Sequence, residues 1–265
     1  MCSLVNKLQC LFNINFVSKK FKTHLNNNST SASYYNFEML AINQTFYITD
    51  MSSGSIHKFD HNWNYSSSTQ PYSFPNVKNM IAAGNDFIIT GESSIWKTNS
   101  ELIVLVKRNI SSDLRNNGIF YNDMNSLIYA AASYDYSIKI FDLNLTFINN
   151  ISTQSHWPYS ISGYNDQLFV GTYSGIILII EDNQIISDTF KGCNGNEFRI
   201  YKILFDELGF MATACSDDNL YLYTINGTYK NKFISMMKYG IYLIGIDFSS
   251  GLVVANLDSG ISIYY

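Results

Sequence analysis

The stretch SYDYSIKIFDLNLTFINNISTQSHWPYSISGYNDQLFVGTYSGIILII (residues 133–180) decides the fold. Within it, Ser137-Ile138-Lys139-Ile140-Phe141 alternates polar and apolar side chains. That period of two turns one face of a β-strand inward and the other outward. After a short turn, a second run extends from Thr146 to Ile151, and the connection STQSHWP (152–158) leads to a strand pair around Tyr164-Asn165-Asp166. A further turn, TYSG (172–175), opens the run Ile176 to Ile180. No segment of ten or more residues carries the 3.6-residue period of an amphipathic helix. The reading is all-β.

Outward from this stretch the same unit recurs. First turns fall at INQT (42–45), GND (84–86), NDMNS (122–126), YND (164–166), DELG (206–209) and SSG (249–251). Their centres, Gln44, Asn85, Met124, Asn165, Leu208 and Ser250, recur with a period of about 41 residues, within the range of propeller repeats. Second turns keep the same phase, at MSSGSIHKF (51–59), GESSIWK (91–97), SYDYSIKIF (133–141), TYSGIILII (172–180), SDDNLYLY (216–223) and LDSGISIYY (257–265). Most repeats continue into a fourth run, as at Thr146 to Ile151, Gln184 to Phe190 and Tyr229 to Ile234.

Four antiparallel strands in about 41 residues are the signature of a β-propeller blade, because a small sheet buries its two faces only against neighbours around a ring. The expected fold is a six-bladed β-propeller of four-stranded antiparallel blades, one domain over residues 1–265 with six repeats over 36–265. The sixth repeat reaches Tyr265 with its third strand, and residues 8–18 (LQCLFNINFVS) read as an isolated strand. Pairing that strand beside Gly260–Tyr265 would close the ring and leave no long unpaired edge. Residues 19–35, including THLNNNSTSAS (23–33), read as a polar linker.

Composition narrows the function classes. With 14% charged and 15% aromatic residues, 20 Tyr and 18 Phe among them, the chain is folded and not disordered. A balance of 17 basic against 21 acidic side chains, net −4, offers no footprint for nucleic acid or an anionic membrane. No apolar run approaches the roughly 20 residues of a transmembrane helix. The N-terminal MCSLVNKLQCLFNINFVSKKFK reads as part of the fold and not as a signal peptide, since Lys7, Gln9, Asn13 and Asn15 interrupt it and no small-x-small site follows.

The four cysteines, Cys2, Cys10, Cys193 and Cys215, form no CxxC pair, and the four His lie outside metal-finger spacing. Cys193 and Cys215 flank one predicted hairpin; a disulfide, or a loop thiol beside a buried strand thiol, are both open. Sequons occur at Asn27, Asn28, Asn43, Asn64, Asn109, Asn144, Asn150 and Asn226. This mild excess makes a glycoprotein in an extracellular setting the favoured expectation over a cytoplasmic one.

Three stretches resemble known families. SYDYSIKIFD (133–142) resembles the end of a WD repeat, with Ser-x-Asp before alternating apolar residues and an aromatic-Asp pair, and SDDNLYLY (216–223) is a weaker echo. The resemblance implies a scaffold for protein contacts, although the chain has no Gly-His dipeptide. WPYSISGYNDQLFVGTYSGIILII (157–180) is similar to NHL-type and other six-bladed repeats, in which Pro-x-x-Ile precedes a loop, a Leu-aromatic-Val strand and a Gly-x-Ile strand.

YITDMSSGSIHKFD (47–60) is similar to the first blade of the regucalcin/gluconolactonase family. That resemblance implies a divalent-metal ligand at Glu38, at the mouth of the central channel, and a metal-dependent hydrolase. Here Glu38 stands in the context Asn36-Phe37-Glu38-Met39-Leu40, where the family has Glu-Gly-Pro-x-Trp.

Other catalytic signatures are missing. There is no GxSxG elbow, P-loop or GxGxxG, and His24, His57, His61 and His156 form no motif, His57 and His61 reading as exposed polar positions. Asp135, Asp217, Asp218 and Asp258 sit in second turns, either as a ring of carboxylates or as turn residues bonding their own backbone. No cofactor is expected.

Function on such a scaffold lives in its loops. The connections into each new repeat carry Tyr72, Phe74, Arg115, His156, Trp157, Arg199 and Tyr239, residue types that anchor interfaces when exposed. The same aromatics would otherwise cover blade junctions or plug the channel, and Trp157 before Pro158 is the foremost candidate plug. The expectation is a monomeric, non-enzymatic scaffold binding a protein, peptide or glycan at one mouth. The alternative is the lactonase-like hydrolase.

Overall fold

The computed structural model describes residues 18–21, 39–42, 45–50, 53–60, 65–69, 73–110, 118–193, 198–205, 210–217, 219–234, 241–247, 251–256 and 260–264. Strand β1 (Ser18–Phe21) precedes a first sheet of β2 (Met39–Ile42), β3 (Thr45–Asp50), β4 (Ser55–Phe59) and β5 (Tyr65–Ser68). The second holds β6 (Asn79–Ala83), β7 (Asp86–Thr90), β8 (Ser94–Thr98) and β9 (Val104–Asn109). The third holds β10 (Ile119–Asn122), β11 (Leu127–Ala132), β12 (Ser137–Phe141) and β13 (Phe147–Ser152). In the fourth are β14 (Pro158–Tyr164), β15 (Gln167–Thr172), β16 (Ile176–Glu181) and β17 (Gln184–Lys191). The fifth comprises β18 (Ile200–Phe205), β19 (Phe210–Cys215), β20 (Asn219–Thr224) and β21 (Tyr229–Ile234). A sixth runs β22 (Ile241–Asp247), β23 (Gly251–Asn256), β24 (Gly260–Tyr264) and then β1.

Every strand pair is antiparallel, and the architecture is a β-propeller of small sheets. The first strands of consecutive sheets are neighbours: β2 and β6, β6 and β10, β10 and β14, β14 and β18, β18 and β22. Strand β22 in turn lies beside β2. Among the described residues no helix is long and apolar enough to cross a membrane.

The core lies between sheets. Strand β11 shows why its sequence LIYAAA is apolar throughout: Ile128, Ala130 and Ala132 pack on Ile88 and Ile95 of the second sheet. Its alternate residues Tyr129 and Ala131 pack on Ile161, Val170 and Leu178 of the fourth. A strand buried on both faces loses the inside-outside alternation that marks a half-exposed one. Equivalent clusters join the first sheet to the second through Tyr47, Ile56, Phe74 and Trp96, and the fourth to the fifth through Phe169, Ile200, Met211 and Tyr221. Outer strands are different: in β9 all residues but the half-buried Val106 are exposed.

The strand described beside β24 meets the expected closing segment 8–18 at Ser18 and continues into residues read as linker. The strand paired with β24 is Ser18–Phe21, with Ser18 opposite Tyr264 and Phe21 opposite Ile261. Of residues 8–18 only Ser18 is described, and residues 19–21 were read as linker. An outermost strand needs its backbone pairing more than an apolar face, so Ser-Lys-Lys-Phe suits the position as Tyr-Lys-Asn-Lys-Phe-Ile does in β21. Apolar alternation was the wrong signal for it.

The turns follow the spacing. Asn85, Met124 and Asn165 fall between the first and second strands of their sheets, while Gln44, Leu208 and Ser250 lie outside the described residues. Asn165 and Asp166 have φ of 47° and 62°, and Asp182 and Asn183 have 48° and 62°. Positive φ at both central residues belongs to the two-residue hairpin turn whose twist matches the strands, and Asn and Asp tolerate it best after Gly.

Candidate functional site

At one end of the sheets, the second turns meet the connections that enter each first strand. Backbone hydrogen bonds tie the two together: Tyr173 N–H donates to Trp157 O at 2.9 Å, Thr153 N–H to Tyr136 O at 2.7 Å, and Ser216 N–H to Arg199 O at 2.9 Å. Hydroxyls then cross from sheet to sheet. Ser133 Oγ donates to Pro158 O, and Ser160 Oγ donates to Ile200 O at 3.0 Å, both buried. This end is therefore held rigidly across the third, fourth and fifth sheets.

An aromatic cluster occupies it. Trp157 lies 5.8 Å from Tyr134, 6.0 Å from Tyr136 and 5.3 Å from Tyr173 between ring centroids. Tyr134 is 49% exposed, and Trp157 and Tyr173 are half-buried, so the rings form a shelf reachable from solvent. Contacts of this edge-to-face and tilted kind add about 0.5–1.5 kcal/mol each beyond burial. Asp135, in the same turn as Tyr134 and Tyr136, pairs with Lys139 at 2.8 Å.

Arg199 completes the cluster. Its guanidinium carbon sits 4.2 Å from the Tyr173 ring centroid, a cation–π distance, and Nη2 donates to Tyr173 Oη. Burial acts against its charge, but the Tyr173 hydrogen bond and the nearby Tyr201, Tyr159 and Tyr173 outweigh it and hold the guanidinium above its ordinary pKa. Among the described residues no carboxylate pairs with it.

Tyr159 and Tyr201 stand in this surround because of the backbone. In β14, Pro158 and Ser160 oppose Thr172 and Gly171, leaving Tyr159 as an extra residue. In β18, Ile200 and Lys202 oppose Cys215 and Ala214, leaving Tyr201. Each is a β-bulge, a device that re-aims one side chain. The two rings meet edge to face at 5.4 Å. In β22 the same register shift leaves Tyr242, between Ile241 opposite Asn256 and Leu243 opposite Ala255. Tyr159, Tyr201 and Tyr242 follow one another at the interval of the repeat.

The structure sorts the sequence candidates. Trp157 and Arg199 come together through Tyr173, and His156 is half-buried beside Trp157 in the chain, its carbonyl accepting from Thr153 Oγ1 at 2.6 Å. Phe74 is not a surface anchor: at 1% exposure it packs against Trp96 at 5.7 Å in the core between the first and second sheets. A turn closed by Val77 N–H to Phe74 O at 3.0 Å follows it, and Phe74 takes the junction-covering alternative and not the anchoring one. Tyr72, Arg115 and Tyr239 lie outside the described residues, as does Glu38.

Among the described residues no three His, Cys, Asp or Glu come together as a metal site. His57 is not an exposed strand end; its side chain is 14% exposed, with Nε2 3.6 Å from Asp50 Oδ2. Asp217 serves its own turn, accepting from Asn219 N–H at 3.3 Å and from Tyr221 Oη. Asp218 and Asp258 lie outside the described residues.

Cys193 and Cys215 are joined, Sγ to Sγ at 1.97 Å, with Cα atoms 5.9 Å apart, inside the cluster between the fourth and fifth sheets. The cluster members that residue-by-residue reading missed are Tyr134, Tyr136, Tyr159, Tyr173 and Tyr201. For two of them a signal existed: Trp157-Pro-Tyr159 and Arg199-Ile-Tyr201 share their internal spacing and stand one repeat apart.

No protein-family model matches the chain, and no curated protein matches it. Among solved structures it is similar to the computationally designed Ika8 protein, at TM-score 0.58 and 10% identity over 86% of this chain and 70% of that one. At that identity the likeness establishes the fold, a β-propeller, and nothing of the site.

Proposed function

We propose that the chain is a single-domain, six-bladed propeller that binds a partner and does not transform it, and that the binding surface is the mouth over the third to fifth sheets. The closed succession of neighbouring first strands, with β22 beside β2, supports six blades in one ring. The pairing of β1 with β24 supports closure by an N-terminal strand. The single observation that carries the binding reading is the cluster itself. Trp157, Tyr134, Tyr136, Tyr173 and Arg199 come from second turns and connections of three sheets, and residues of these types dominate interface energetics. The NHL-like stretch at 157–180 and the WD-like stretch at 133–142 agree with a scaffold role, since both contribute to this mouth.

The partner is a protein, peptide or glycan, and the setting is extracellular. Exposed sequon asparagines at 109, 144, 150 and 226 and the Cys193–Cys215 bond favour that compartment. Affinity capture with the intact chain is the test, comparing wild type with a Trp157→Ala/Tyr134→Ala double variant. The expected result is loss of the captured partner with the melting temperature lowered by no more than about 4 °C, since the rings are only partly buried. Retained capture would remove the mouth from the binding surface, and gross unfolding would make these rings structural.

A further inference from the structure

We infer that the mouth is built for a carboxylate-bearing sugar ring, with Arg199 receiving the carboxylate and Trp157 the apolar face of the ring. The inference rests on the recognition reading above and names its ligand. Arg199 is the first ground. A guanidinium presents five N–H donors in a planar fork that matches a carboxylate in bidentate fashion. The Nη2–Tyr173 bond is the one side-chain hydrogen bond it makes among the described residues. Its other near neighbours among the described residues are the phenols of Tyr201 and Tyr159, and no described carboxylate pairs with it.

The number of charges decides what kind of anion. Asp135 pairs with Lys139 at 2.8 Å, and Arg199 is the cation stacked within the described cluster, in a chain of net charge −4. A polyanion such as nucleic acid or a run of acidic residues needs several cations and would meet repulsion from the rest of the molecule. One carboxylate needs one guanidinium.

The neighbours decide what carries the carboxylate. Tyr134, Tyr136 and Tyr173 line the shelf, with the half-buried Tyr201 and the buried Tyr159 near Arg199, and a phenol oxygen both donates and accepts, as the ring hydroxyls of a sugar do. The half-buried Trp157 indole and the exposed Tyr134 ring offer flat apolar surfaces that suit the C–H face of a pyranose. The bulges argue for purpose: Tyr159 and Tyr201 are the extra residues of their strands, and both stand close enough to Arg199 to influence its charge.

The test follows the Trp157 indole N–H signal by NMR, assigned with Trp157→Phe, while the intact chain is titrated with methyl β-glucuronide, methyl β-glucoside, and the peptide Ala-Ala-Tyr with a free or amidated C-terminus. The glucuronide is expected to move the signal saturably and to bind at least about tenfold more tightly than the glucoside, the contribution of one charge-assisted pair. Arg199→Gln should remove that preference, and Tyr201→Phe, which keeps the ring, should weaken the glucuronide about threefold. Equal binding of the two sugars, or no response to either, overturns the inference. A response to the free peptide alone also overturns it while leaving the mouth as a recognition surface. The recognition reading fails separately, when the Trp157→Ala/Tyr134→Ala variant still captures its partner.

Discussion

Asp142 shows how much one turn residue settles. It follows β12, and its Oδ1 accepts from Thr146 N–H at 2.7 Å and from Asn144 N–H at 2.8 Å, while Leu145 N–H donates to its carbonyl at 3.0 Å. Leu145 adopts φ of 60°, an unfavourable conformation for a branched side chain, and keeps it because that side chain is 1% exposed in the core between the second and third sheets. The Thr146 bond first, and the Asn144 bond and Arg108 after it, hold the Asp142 carboxyl below its ordinary pKa against the opposing effect of burial. A carboxyl with a lowered folded pKa contributes stability above its unfolded value of about 3.9, and that contribution disappears as pH falls through the folded value. Asp142→Asn should therefore melt about 2–4 °C below wild type at pH 7, and the gap should close below about pH 4. Thermal melts across pH 2–7 check this; a gap that stays constant or widens in acid would show that the charge is irrelevant.

At the scale of elements, the disulfide and the bulges attach the fourth sheet to the fifth. Cys193 follows β17 and Cys215 ends β19, at a sequence separation of 22, and Thr213 Oγ1 donates across the same seam to Gly192 O at 2.7 Å. Closing a loop of that length removes about 3 kcal/mol of unfolded-chain entropy in the simplest account. Cys193→Ser/Cys215→Ser, or reduction of the wild type, should lower the melting temperature by about 6–12 °C. Since Arg199 and Tyr201 enter from this seam, the loss should be accompanied by weaker partner capture. An unchanged melt under reducing conditions, with thiol labelling confirming reduction, would count against the bond. The same elements show what local sequence conveys. The turns at Asn85, Met124 and Asn165 were legible because Gly, Asn and Asp answer a backbone demand that is local. Strand β1 was not, since an outer strand is defined by the edge it covers, and Ser-Lys-Lys-Phe has no apolar period to display. Trp157 and Arg199 were visible as interface residue types, but Phe74, of the same type, folds inward at 1% exposure. The bulged tyrosines were hidden because a one-place slip in pairing is a relation between strands; only their recurrence at the interval of the repeat betrayed them.

For the whole molecule the decisive joint is between β1 and β24. Among the described residues β22, β23 and β24 are the last three strands, and the fourth strand of their sheet is β1, the first. Covering the β24 edge with β1 satisfies backbone groups that would otherwise form an open template for another chain. The sixth sheet lies beside the first, where β22 meets β2. Propeller sheets gain their burial from both neighbours, so a loosened joint costs more than one strand's hydrogen bonds, because the sheets on either side lose a covered face. Removing residues 1–21 should lower stability by at least about 2–4 kcal/mol, the net worth of the short β1–β24 ladder. It should also produce concentration-dependent association through the bared edge. Supplying the peptide SKKF within a longer synthetic segment, residues 8–24, should restore the melting temperature and abolish that association. Light scattering across a concentration series and thermal melts of the two forms decide the matter. A truncated chain with the association state and the melt of the intact one would show that β1 does not close the ring.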